Sequence, residues 1–480
     1  MRCRPEIAFR ALLTIWFCLT GHAFAAEAGS RLPTAVAEAL AQAGIPDSSV
    51  GIFVQEIQGP RPVLAHGEER ALNPASTIKL LTTFSALDQL GPAYQWTTEV
   101  YADGPLQGDV LNGNLILKGA GDPRLTLENF WLMLRNLRAR GVREIRGDLV
   151  LDRSYFARED IDPAEFDNEP TRPYNTPPDA LLVNFKALRL QFVPDAERQA
   201  VRILAEPALP QIQILNNVTL DNERCDDWVG RLKLTALGDR ASARLLFSGN
   251  YSLACGEKER NYSVLGHAQY LHGLFTLLWR ELGGAFTGAV RDGVAAPGAR
   301  LLLAHQTQSL AEIARDINKY SNNVMARQLY LALGAITLGV PASNEKSSRS
   351  IKQWLAARHL AMPELTLENG SGLSRVERIS AKSLGQLLLA AQRSAVMPEF
   401  MASLPLVAVD GTMKKRLTGA DIAGQAHIKT GSLTGVRAIA GYVLDARGRT
   451  IIVVCIVNHA RAQSASVVQD ALLNWVYRRQ

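Results

Sequence analysis

The sequence predicts an α+β fold in which the two ends of the chain build one antiparallel sheet and helices lie between them. Alternating or continuous apolar residues indicate strands at residues 49–58 and again between residues 426 and 457. From residues 96 to 274 the pattern changes to short strand-like stretches separated by Gly, Pro and Asp turns. We therefore expect one sheet-and-helix domain, formed by residues 26–95 and 275–480, with a mainly β insertion in one or two subdomains.

Composition limits the class of protein. A length of 480 residues exceeds what one compact core needs and predicts two or three domains. The hydrophobic content of 47% and the charged content of 20% are typical of a globular protein. The net charge of +6 is not concentrated in runs, and no basic stripe or nucleic-acid-reading motif occurs. We therefore expect no nucleic-acid partner.

The first 25 residues have the three parts of a secretory signal peptide. Arginines precede an apolar run, and Ala23 and Ala25 supply small residues where a signal peptidase cuts. The run, residues 11–19, is shorter than the ~20 residues that span a bilayer. We expect export, with a mature chain that begins near Ala26. An uncleaved N-terminal anchor is the alternative.

Three cysteines follow the signal segment. Cys225 and Cys255 lie in the same polar, turn-rich region, and an oxidising compartment permits a disulfide, so we expect them to pair. Cys455 lies within the apolar run 451–457 and is interpreted as a small buried hydrophobic residue rather than a nucleophile.

The first elements of the main domain are a strand and a helix. Residues 49–58 alternate enough for the strand, and residues 62–64 are a candidate hairpin partner. A helix is expected from Ser76 to Leu90, because apolar residues recur at helical spacing and Gly91-Pro92 ends it.

Helical order resumes at residue 267, near the end of the expected insertion. Helical spacing predicts helices over residues 267–282 and 309–333, and Ser309-Leu-Ala-Glu312 is a capping-box pattern at the start of the second. Residues 445–448 predict a hairpin turn between the last two strands. The three strands and one helix expected near the C-terminus are 426–429, 436–444, 450–457 and 464–478.

Three short motifs occur in order along the chain: Ser76-Thr-Ile-Lys79, Ser321-Asn-Asn323 and Lys429-Thr-Gly431. They match a known set of Ser-x-x-Lys, Ser-x-Asn and Lys-Thr-Gly elements. Second copies of the first two occur at residues 343–346 and 248–250, so order and predicted elements must select the right ones. Lys-Thr-Gly occurs once, on a predicted strand, and is the most specific of the three.

The first motif predicts a nucleophile and its base. Ser76 opens the predicted helix, and Lys79 lies three residues later on the same face, within reach of its hydroxyl. A serine is a weak nucleophile until a neighbouring base takes its proton. The helix N-terminus favours a negative attacking oxygen and a neutral lysine. By itself the pattern also fits an N-capping serine beside a surface lysine.

The second motif falls in the middle of the predicted 309–333 helix. Apolar residues surround Ser321 and Asn323, so their polar groups need partners where the helix meets a cleft. We predict that Ser321 relays a proton to the leaving amine and that Asn323 holds Lys79 and a substrate amide. A solvent-facing polar patch is the alternative for this motif alone.

The third motif predicts a carboxylate site. The strand period of two puts Lys429 and Gly431 on one face. Lys429 and Thr430 suit a terminal carboxylate, and Gly431 lets substrate backbone approach closely. The amides of Ser76 and Ser432 are the predicted oxyanion hole. A strand end with an ordinary turn is the alternative.

One spacing and two further stretches accompany these motifs. The gap between the first and second motifs is very long. Residues 368–375 are Glu-Asn-Gly-Ser-Gly-Leu-Ser-Arg, and residues 427–433 are His-Ile-Lys-Thr-Gly-Ser-Leu. Together these features resemble the type-4 D-alanyl-D-alanine carboxypeptidases/endopeptidases, the low-molecular-mass class C penicillin-binding proteins. That family fills the gap with two inserted domains and carries an Asp-Gly-Ser-Gly-Leu-Ser-Arg signature. The similarity runs from about residue 30 to the end.

The resemblance implies a penicillin-binding/serine β-lactamase-like transpeptidase domain and a periplasmic bacterial enzyme. It implies that Ser76 is acylated by peptidoglycan stem peptides with release of D-alanine, and that water then removes the acyl group. DD-endopeptidase action and trapping by β-lactams are implied as well. No cofactor and no metal site are expected, since the eight His show no metal-binding spacing. Peripheral membrane association and a homodimer stay open.

The resemblance also implies a subsite for the free end of a diaminopimelate residue. In the family an acid and an aromatic of the insertion form it with the signature arginine and a later Gln. Glu169, Tyr174 and Arg375 stand at matching positions. Thr434 stands where the Gln is expected, Glu169 where an Asp is, and Asn369 where the signature begins with Asp. These departures leave the predicted catalysis unchanged and the preference of the subsite open.

Two other classes of protein share these motifs. A serine β-lactamase has the same fold but hydrolyses its acyl-enzyme quickly, and the large insertion disfavours it. A non-catalytic wall-binding protein would keep the fold without its chemistry, and the intact Ser76, Lys79 and Lys429 disfavour that class. The lifetime of a penicilloyl adduct separates the first of these from a carboxypeptidase.

Overall fold

A computed structural model describes residues 31–239 and 241–479. The predicted signal peptide, residues 1–25, lies outside the described residues. Within them, no helix combines the length and the apolar character needed to cross a membrane. The described residues form four β-sheets and three clusters of buried apolar side chains, which divide between a main domain and an inserted region.

The described part of the chain contains ten α-helices and twenty strands. In chain order the helices are α1 Thr34–Ala43, α2 Lys79–Leu90, α3 Leu127–Ala139, α4 His267–Glu281, α5 Leu310–Tyr320, α6 Asn323–Leu338, α7 Asn344–Ala357, α8 Ala381–Gln392, α9 Met397–Ser403 and α10 Ser466–Arg478. The strands are β1 Val50–Glu56, β2 Leu64–His66, β3 Gln95–Ala102, β4 Leu106–Gln107, β5 Val110–Leu111, β6 Leu115–Lys118, β7 Glu144–Ile145, β8 Leu149–Asp152, β9 Leu188–Asp195, β10 Ala200–Glu206, β11 Ile212–Asp221, β12 Leu232–Gly238, β13 Ala243–Ser252, β14 Lys258–Tyr262, β15 Ala285–Phe286, β16 Val290–Asp292, β17 Arg300–Ser309, β18 Ala426–Leu433, β19 Val436–Leu444 and β20 Thr450–Asn458.

Five antiparallel strands form the main sheet in the order β18-β19-β20-β1-β2. The central strand β20 is apolar from residue 451 to residue 457 because both of its faces are buried there. Ile452, Val454 and Ile456 pack into the core that contains α2, α5, α6 and α8. The alternate residues, including Cys455, pack into a second core beneath α1 and α10. The prediction that the two chain ends build one sheet is confirmed, and Cys455 is a buried core residue.

Helix α2 lies inside the first core. Its residues are buried from Lys79 to Leu87 on every side, and the hydroxyls of Thr82 and Thr83 within this stretch donate to backbone carbonyls. The Phe84 ring packs against Trp354 of α7 and Phe400 of α9, with ring centroids 5.3 and 5.4 Å apart. Packing on all sides therefore fixes the helix that carries Lys79.

Three sheets and one continuous core form the inserted region. Their strand orders are β12-β13-β11-β10-β9-β14, β15-β7-β5-β4 and β16-β8-β6-β3-β17. The prediction of a mainly β insertion agrees with these sheets. The disulfide expected between Cys225 and Cys255 is present beside the six-stranded sheet.

The inserted region continues past residue 274. Helix α4 buries Tyr270, Phe275 and Trp279 in the insertion core, and β17 pairs with β3. The periodicity of the sequence identifies the apolar face of α4 but not the core that the face contacts. We therefore propose that the insertion ends near Ser309 rather than at residue 274.

Candidate active site

Ser76 lies in a tight turn that leads into α2. Residues 75–78 form a 3-10 turn, and the α-helix begins at Lys79. The prediction that the helix begins at Ser76 is therefore wrong by three residues. Ala75 has φ +45°, a left-handed conformation that a non-glycine residue adopts only where its surroundings impose it. The Asn73 side chain accepts a hydrogen bond from the Ala75 amide at 2.8 Å and donates one to the Ser374 carbonyl at 2.9 Å. Asn73 therefore holds the turn that presents Ser76.

Lys79 is the buried base of this site. Its Nζ donates to the Ser76 Oγ at 3.0 Å and to the Asn323 Oδ1 at 2.6 Å, and it also donates to the Ser371 carbonyl. Burial and the neighbouring charge of Lys429 lower the pKa of Lys79 well below its usual value. A lysine with a lowered pKa can accept the proton of Ser76.

The second motif lies at a break between α5 and α6, and the prediction of one continuous helix over residues 309–333 is wrong. Ser321 ends α5 with φ +56°, and the Asn322 side chain caps α6 by accepting from the Met325 amide at 3.0 Å. The break turns the Ser321 side chain toward Lys429 and the Asn323 side chain toward Lys79. Helical periodicity runs through the break, because the residues on both sides pack in the same core. The capping interaction expected at the start of α5 is present: the Ser309 amide donates to the Glu312 carboxylate at 3.0 Å.

The third motif lies on β18, an edge strand of the main sheet. Lys429 is buried, its Nζ donates to the Ser321 Oγ at 2.9 Å, and burial lowers the pKa of Lys429 to about 7. Gly431 faces the nucleophile turn, since a Cβ there would lie 3.0 Å from the Ser76 amide nitrogen. The Thr430 hydroxyl donates to the Thr412 hydroxyl at 2.7 Å. The strand therefore borders the Ser76 turn where Gly431 lies.

Ser432 and the loop of residues 368–375 complete the surroundings of Ser76. The Ser432 hydroxyl accepts from Arg437 at 2.5 Å across the β18–β19 pair. A Cβ on Gly372 would lie 2.1 Å from the Ala75 carbonyl oxygen, so this loop packs directly against the turn. Only glycine allows that approach.

Glu377 is a buried carboxylate that the sequence analysis missed. It accepts hydrogen bonds from the amides of Glu368, Asn369 and Gly370 at 3.2, 3.0 and 2.9 Å. Burial raises the pKa of Glu377, although these amides counteract the shift. It therefore holds the loop whose Ser371 carbonyl accepts from Lys79. The one signal for Glu377 in the sequence is its position just after the Ser-Gly-Leu-Ser-Arg stretch.

Arg375 connects the main domain to the inserted region. Its guanidinium lies over the Phe166 ring, 4.5 Å from the centroid, and donates to the Thr434 carbonyl at 3.3 Å. A cavity of about 410 Å³ opens beside this contact. Its lining includes Phe166, Asn175, Arg327, Glu368 and Arg375.

The two insertion residues expected near Arg375 have other partners. Tyr174 donates to the Asp167 carboxylate at 2.8 Å, and Glu169 pairs with Arg172 at 3.2 Å. In the described residues neither Glu169 nor Tyr174 is hydrogen-bonded or ion-paired to Arg375. Phe166 and Asp167 could not be placed from the sequence, because an irregular proline-rich segment gives no periodicity that locates a side chain.

The arrangement suits acyl transfer. A serine hydroxyl contacts a lysine with a lowered pKa, a second serine contacts a buried cation, and backbone amides lie where β18 passes the Ser76 turn. Among residues 31–239 and 241–479, no group of three or more His, Cys, Asp or Glu side chains is arranged to hold a metal ion.

Known proteins share both sequence and fold with this chain. The D-alanyl-D-alanine carboxypeptidase DacB of Haemophilus influenzae is 25% identical over 413 residues, which is 86% of this chain and 85% of that protein. The D-alanyl-D-alanine carboxypeptidase of Actinomadura sp. is 28% identical over 441 residues, covering 88% and 79%. The crystal structure of penicillin binding protein 4 from Haemophilus influenzae superposes with a TM-score of 0.78 at 25% identity and covers 92% of this chain and 99% of that one.

Fold and site therefore define a serine-type carboxypeptidase of the penicillin-binding class, with a penicillin-binding/β-lactamase-like α+β domain. The model of the D-Ala-D-Ala carboxypeptidase 3 (S13) family matches residues 32–479. The chain belongs to that family, and the resemblance drawn from its motifs is confirmed.

Proposed function

We propose that this chain is a periplasmic D-Ala-D-Ala carboxypeptidase and DD-endopeptidase that cleaves peptidoglycan stem peptides through an acyl-enzyme on Ser76. The observation that carries the proposal is the 3.0 Å hydrogen bond between Lys79 Nζ and Ser76 Oγ, made by a buried lysine whose pKa is lowered. The carboxypeptidase relatives support the substrate class.

In the acylation step the Ser76 oxygen attacks the carbonyl carbon of the penultimate D-alanine, and its proton passes to Lys79. The amides of Ser76 and Ser432 donate to the oxyanion of the tetrahedral intermediate. The proton taken up by Lys79 passes through Ser321 to the leaving nitrogen, the C–N bond breaks, D-alanine departs, and Lys79 is neutral again. The acyl group is then bound to Ser76 as an ester.

In the deacylation step a water molecule attacks this ester. Lys79 takes a proton from the water, and the Ser76 oxygen leaves and regains a proton, which restores the free enzyme. Before either step, the terminal carboxylate of the substrate binds to Lys429 and Thr430. Burial makes that charge pair strong, since little water screens it.

We infer that Arg375, Glu169 and Tyr174 form the subsite for the free end of a diaminopimelate residue, with Thr434 at the position where the family has a Gln. The cavity supports the part assigned to Arg375, because a guanidinium beside the Glu368 carboxylate suits a group that carries both a carboxylate and an amine. The assignment of Glu169 and Tyr174 rests on the family resemblance. The hydrogen bond from Arg375 to the Thr434 carbonyl connects two of these residues.

Mass spectrometry of purified peptidoglycan after incubation with the enzyme tests the activity. Loss of terminal D-alanine is expected for the carboxypeptidase, and conversion of cross-linked dimers to monomers for the endopeptidase. Ser76→Ala is the inactive control. No change in either substrate would refute the proposal.

A fluorescent penicillin tests the nucleophile and the inhibitor class. It should label the wild-type protein and not Ser76→Ala. One relative has been solved with a β-lactam bound, which supports this expectation. Hydrolysis of the adduct within about a second would assign the chain to the β-lactamases instead. Cell fractionation, with N-terminal sequencing for Ala26, tests export.

A further inference from the structure

A half-buried ion pair lies next to the second motif. Lys319, two residues before Ser321, donates through its Nζ to the Asp410 carboxylate at 2.6 Å, and only 9% of the Lys319 side chain is exposed. The other Asp410 oxygen accepts from the Leu406 amide at 2.8 Å. Asp410 therefore fixes the short loop of residues 406–412, the 406–412 loop, to the end of α5.

The 406–412 loop approaches α5 closely. Gly411 has φ +54°, and a Cβ there would lie 2.6 Å from the Lys319 carbonyl oxygen. A larger residue would push the loop away from the helix. Burial raises the pKa of Asp410, but the hydrogen bond from Lys319, the Leu406 amide and the charges of Lys319 and His427 outweigh it and hold the pKa below its usual value.

The same loop contacts the third motif. The hydroxyls of Thr412 and Thr430 are 2.7 Å apart, and the Lys429 Nζ lies 2.9 Å from the Ser321 Oγ. Three chain segments are therefore joined into a closed ring by three side-chain hydrogen bonds, which we call the 319–410–430 ring. Its segments are residues 319–321, 410–412 and 429–430.

We propose that the 319–410–430 ring is a positioning device for the terminal carboxylate of the substrate, and that Thr412 is its specificity-determining residue. The inference rests on the proposed function, since it assigns the carboxylate to Lys429 and Thr430. It adds the residues that set the distance between Ser321, which relays the proton, and Thr430, which binds the carboxylate.

The chemistry of two adjacent hydroxyls explains why Thr412 matters. A hydroxyl has one proton and two lone pairs, and the proton rotates to the better acceptor. Without substrate, Thr430 donates to Thr412. When a carboxylate arrives, Thr430 turns its proton to the negative oxygen and accepts from Thr412 instead. Thr412 thus keeps the Thr430 oxygen satisfied in both states and orients its proton toward the substrate.

Thr412→Val is the direct test, because it keeps the shape of an exposed side chain and removes only the hydroxyl. Two substrates are compared: acetyl-Lys-D-Ala-D-Ala with a free carboxylate, and the same peptide with a C-terminal amide. The ratio of kcat/KM for acid over amide should fall about 3- to 10-fold, with most of the change in KM. Thr412→Ser keeps the hydroxyl and should have the wild-type ratio. A ratio that stays at the wild-type value, or equal losses on both substrates, would overturn the inference.

The ion pair is tested by Asp410→Asn and Lys319→Met, singly and together. Each single variant should lower the acid-over-amide ratio, and the double variant should be no worse than either, since both break one connection. Lys382→Met is the matched control: it removes an exposed pair with Glu69 of the same 2.6 Å length and should leave the ratio unchanged. Independent losses that add in the double variant would refute a ring.

The test separates this inference from the proposed function. Penicillin labelling of the wild type and not of Ser76→Ala supports the nucleophile whatever the ratio does. If that labelling is observed and the acid-over-amide ratio of kcat/KM is unchanged in Thr412→Val, the proposal for the ring is refuted and the proposed function is not. If an ion-pair variant fails to fold, Thr412→Val still decides, because its hydroxyl lies at the surface and outside the three cores.

Discussion

At the scale of single residues, the site depends on two buried lysines. Lys79 and Lys429 are both buried, and each has a lowered pKa. Such values are common where a side chain must exchange a proton or hold a ligand near neutral pH. The sequence placed both lysines through their motifs, but burial, which sets their chemistry, depends on the fold.

The two lysines predict the pH dependence of the reaction. Lys79 must be neutral to accept the Ser76 proton, so kcat/KM should rise as the pH increases through its lowered pKa. Lys429 must be charged to attract a carboxylate, so kcat/KM should fall as the pH passes about 7. A bound carboxylate raises the pKa of Lys429, so the alkaline limb of kcat should lie at higher pH. Steady-state kinetics across the pH range measures both.

Lys429→Arg is the control for this prediction. An arginine stays charged at all accessible pH values, so the alkaline limb of kcat/KM should disappear or move up by more than a pH unit. Identical alkaline limbs in kcat and kcat/KM for the wild type would show that Lys429 does not bind the carboxylate.

Glu377 predicts a second effect on the same profile. Its negative charge raises the pKa of Lys79, against the larger effects of burial and Lys429. Glu377→Gln removes the charge and keeps an acceptor oxygen, so the acidic limb of kcat/KM should move to lower pH. Glu377→Ala removes the acceptor of three amides and should lower the free energy of unfolding by about 3 kcal/mol. Urea denaturation measures the free energy of unfolding. An equal loss of that free energy in Glu377→Gln and Glu377→Ala would contradict the acceptor role.

At the scale of elements, the break between α5 and α6 matters most. A left-handed Ser321 and an Asn322 cap turn two neighbouring side chains toward different lysines. Asn322→Ala removes the cap and should lower the free energy of unfolding by about 1 kcal/mol. It should also lower kcat several-fold, because Asn323 and Lys79 lose their alignment. Thermal denaturation and steady-state kinetics measure these effects.

Ser343→Ala is the matched control for that cap. Ser343 caps α7 in the same way, by accepting from the Lys346 amide. Its loss should cost a similar free energy of unfolding and leave kcat unchanged. A fall in kcat of the same size in both variants would show that the cap acts on stability only.

The sequence predicted the elements better than their junctions. The strand β20 and the helix α2 can be recognised in the sequence, because β20 contains a continuous apolar run and α2 has apolar residues at helical spacing. The break at Ser321 depends on one positive φ, which a serine does not signal. The contact of Phe166 with Arg375 depends on how an irregular segment folds back, and no periodicity describes it.

At the scale of the whole molecule, most of the inserted region packs in a core of its own. The insertion core and the two cores around the main sheet are distinct clusters, and Phe156 and Ala180 of the inserted region pack in the core around α2. The sequence predicted an insertion, but its far boundary depends on α4 and β17, which look like main-domain elements until their partners are known. The nucleophile lies on the main-domain side of this division.

This division predicts the effect of the disulfide. Replacing Cys225 and Cys255 by serine opens a loop of 30 residues and should lower the stability of the inserted region by about 3 kcal/mol. Penicillin labelling of Ser76 should continue at the wild-type rate at 25 °C. Denaturation followed by tryptophan fluorescence, beside a labelling time course, measures both. A parallel loss of labelling would show that the two regions unfold as one unit.

The pairing of β1 with β20 has a consequence for the order in which the two regions fold during synthesis. Asn73, which holds the Ser76 turn, is hydrogen-bonded to Asn458, 385 positions further along the chain. The main sheet cannot close during synthesis until its last strand has been made, whereas the inserted region can fold earlier around its own core. The Ser76 turn is therefore completed only after β20 has been synthesised and has paired with β1.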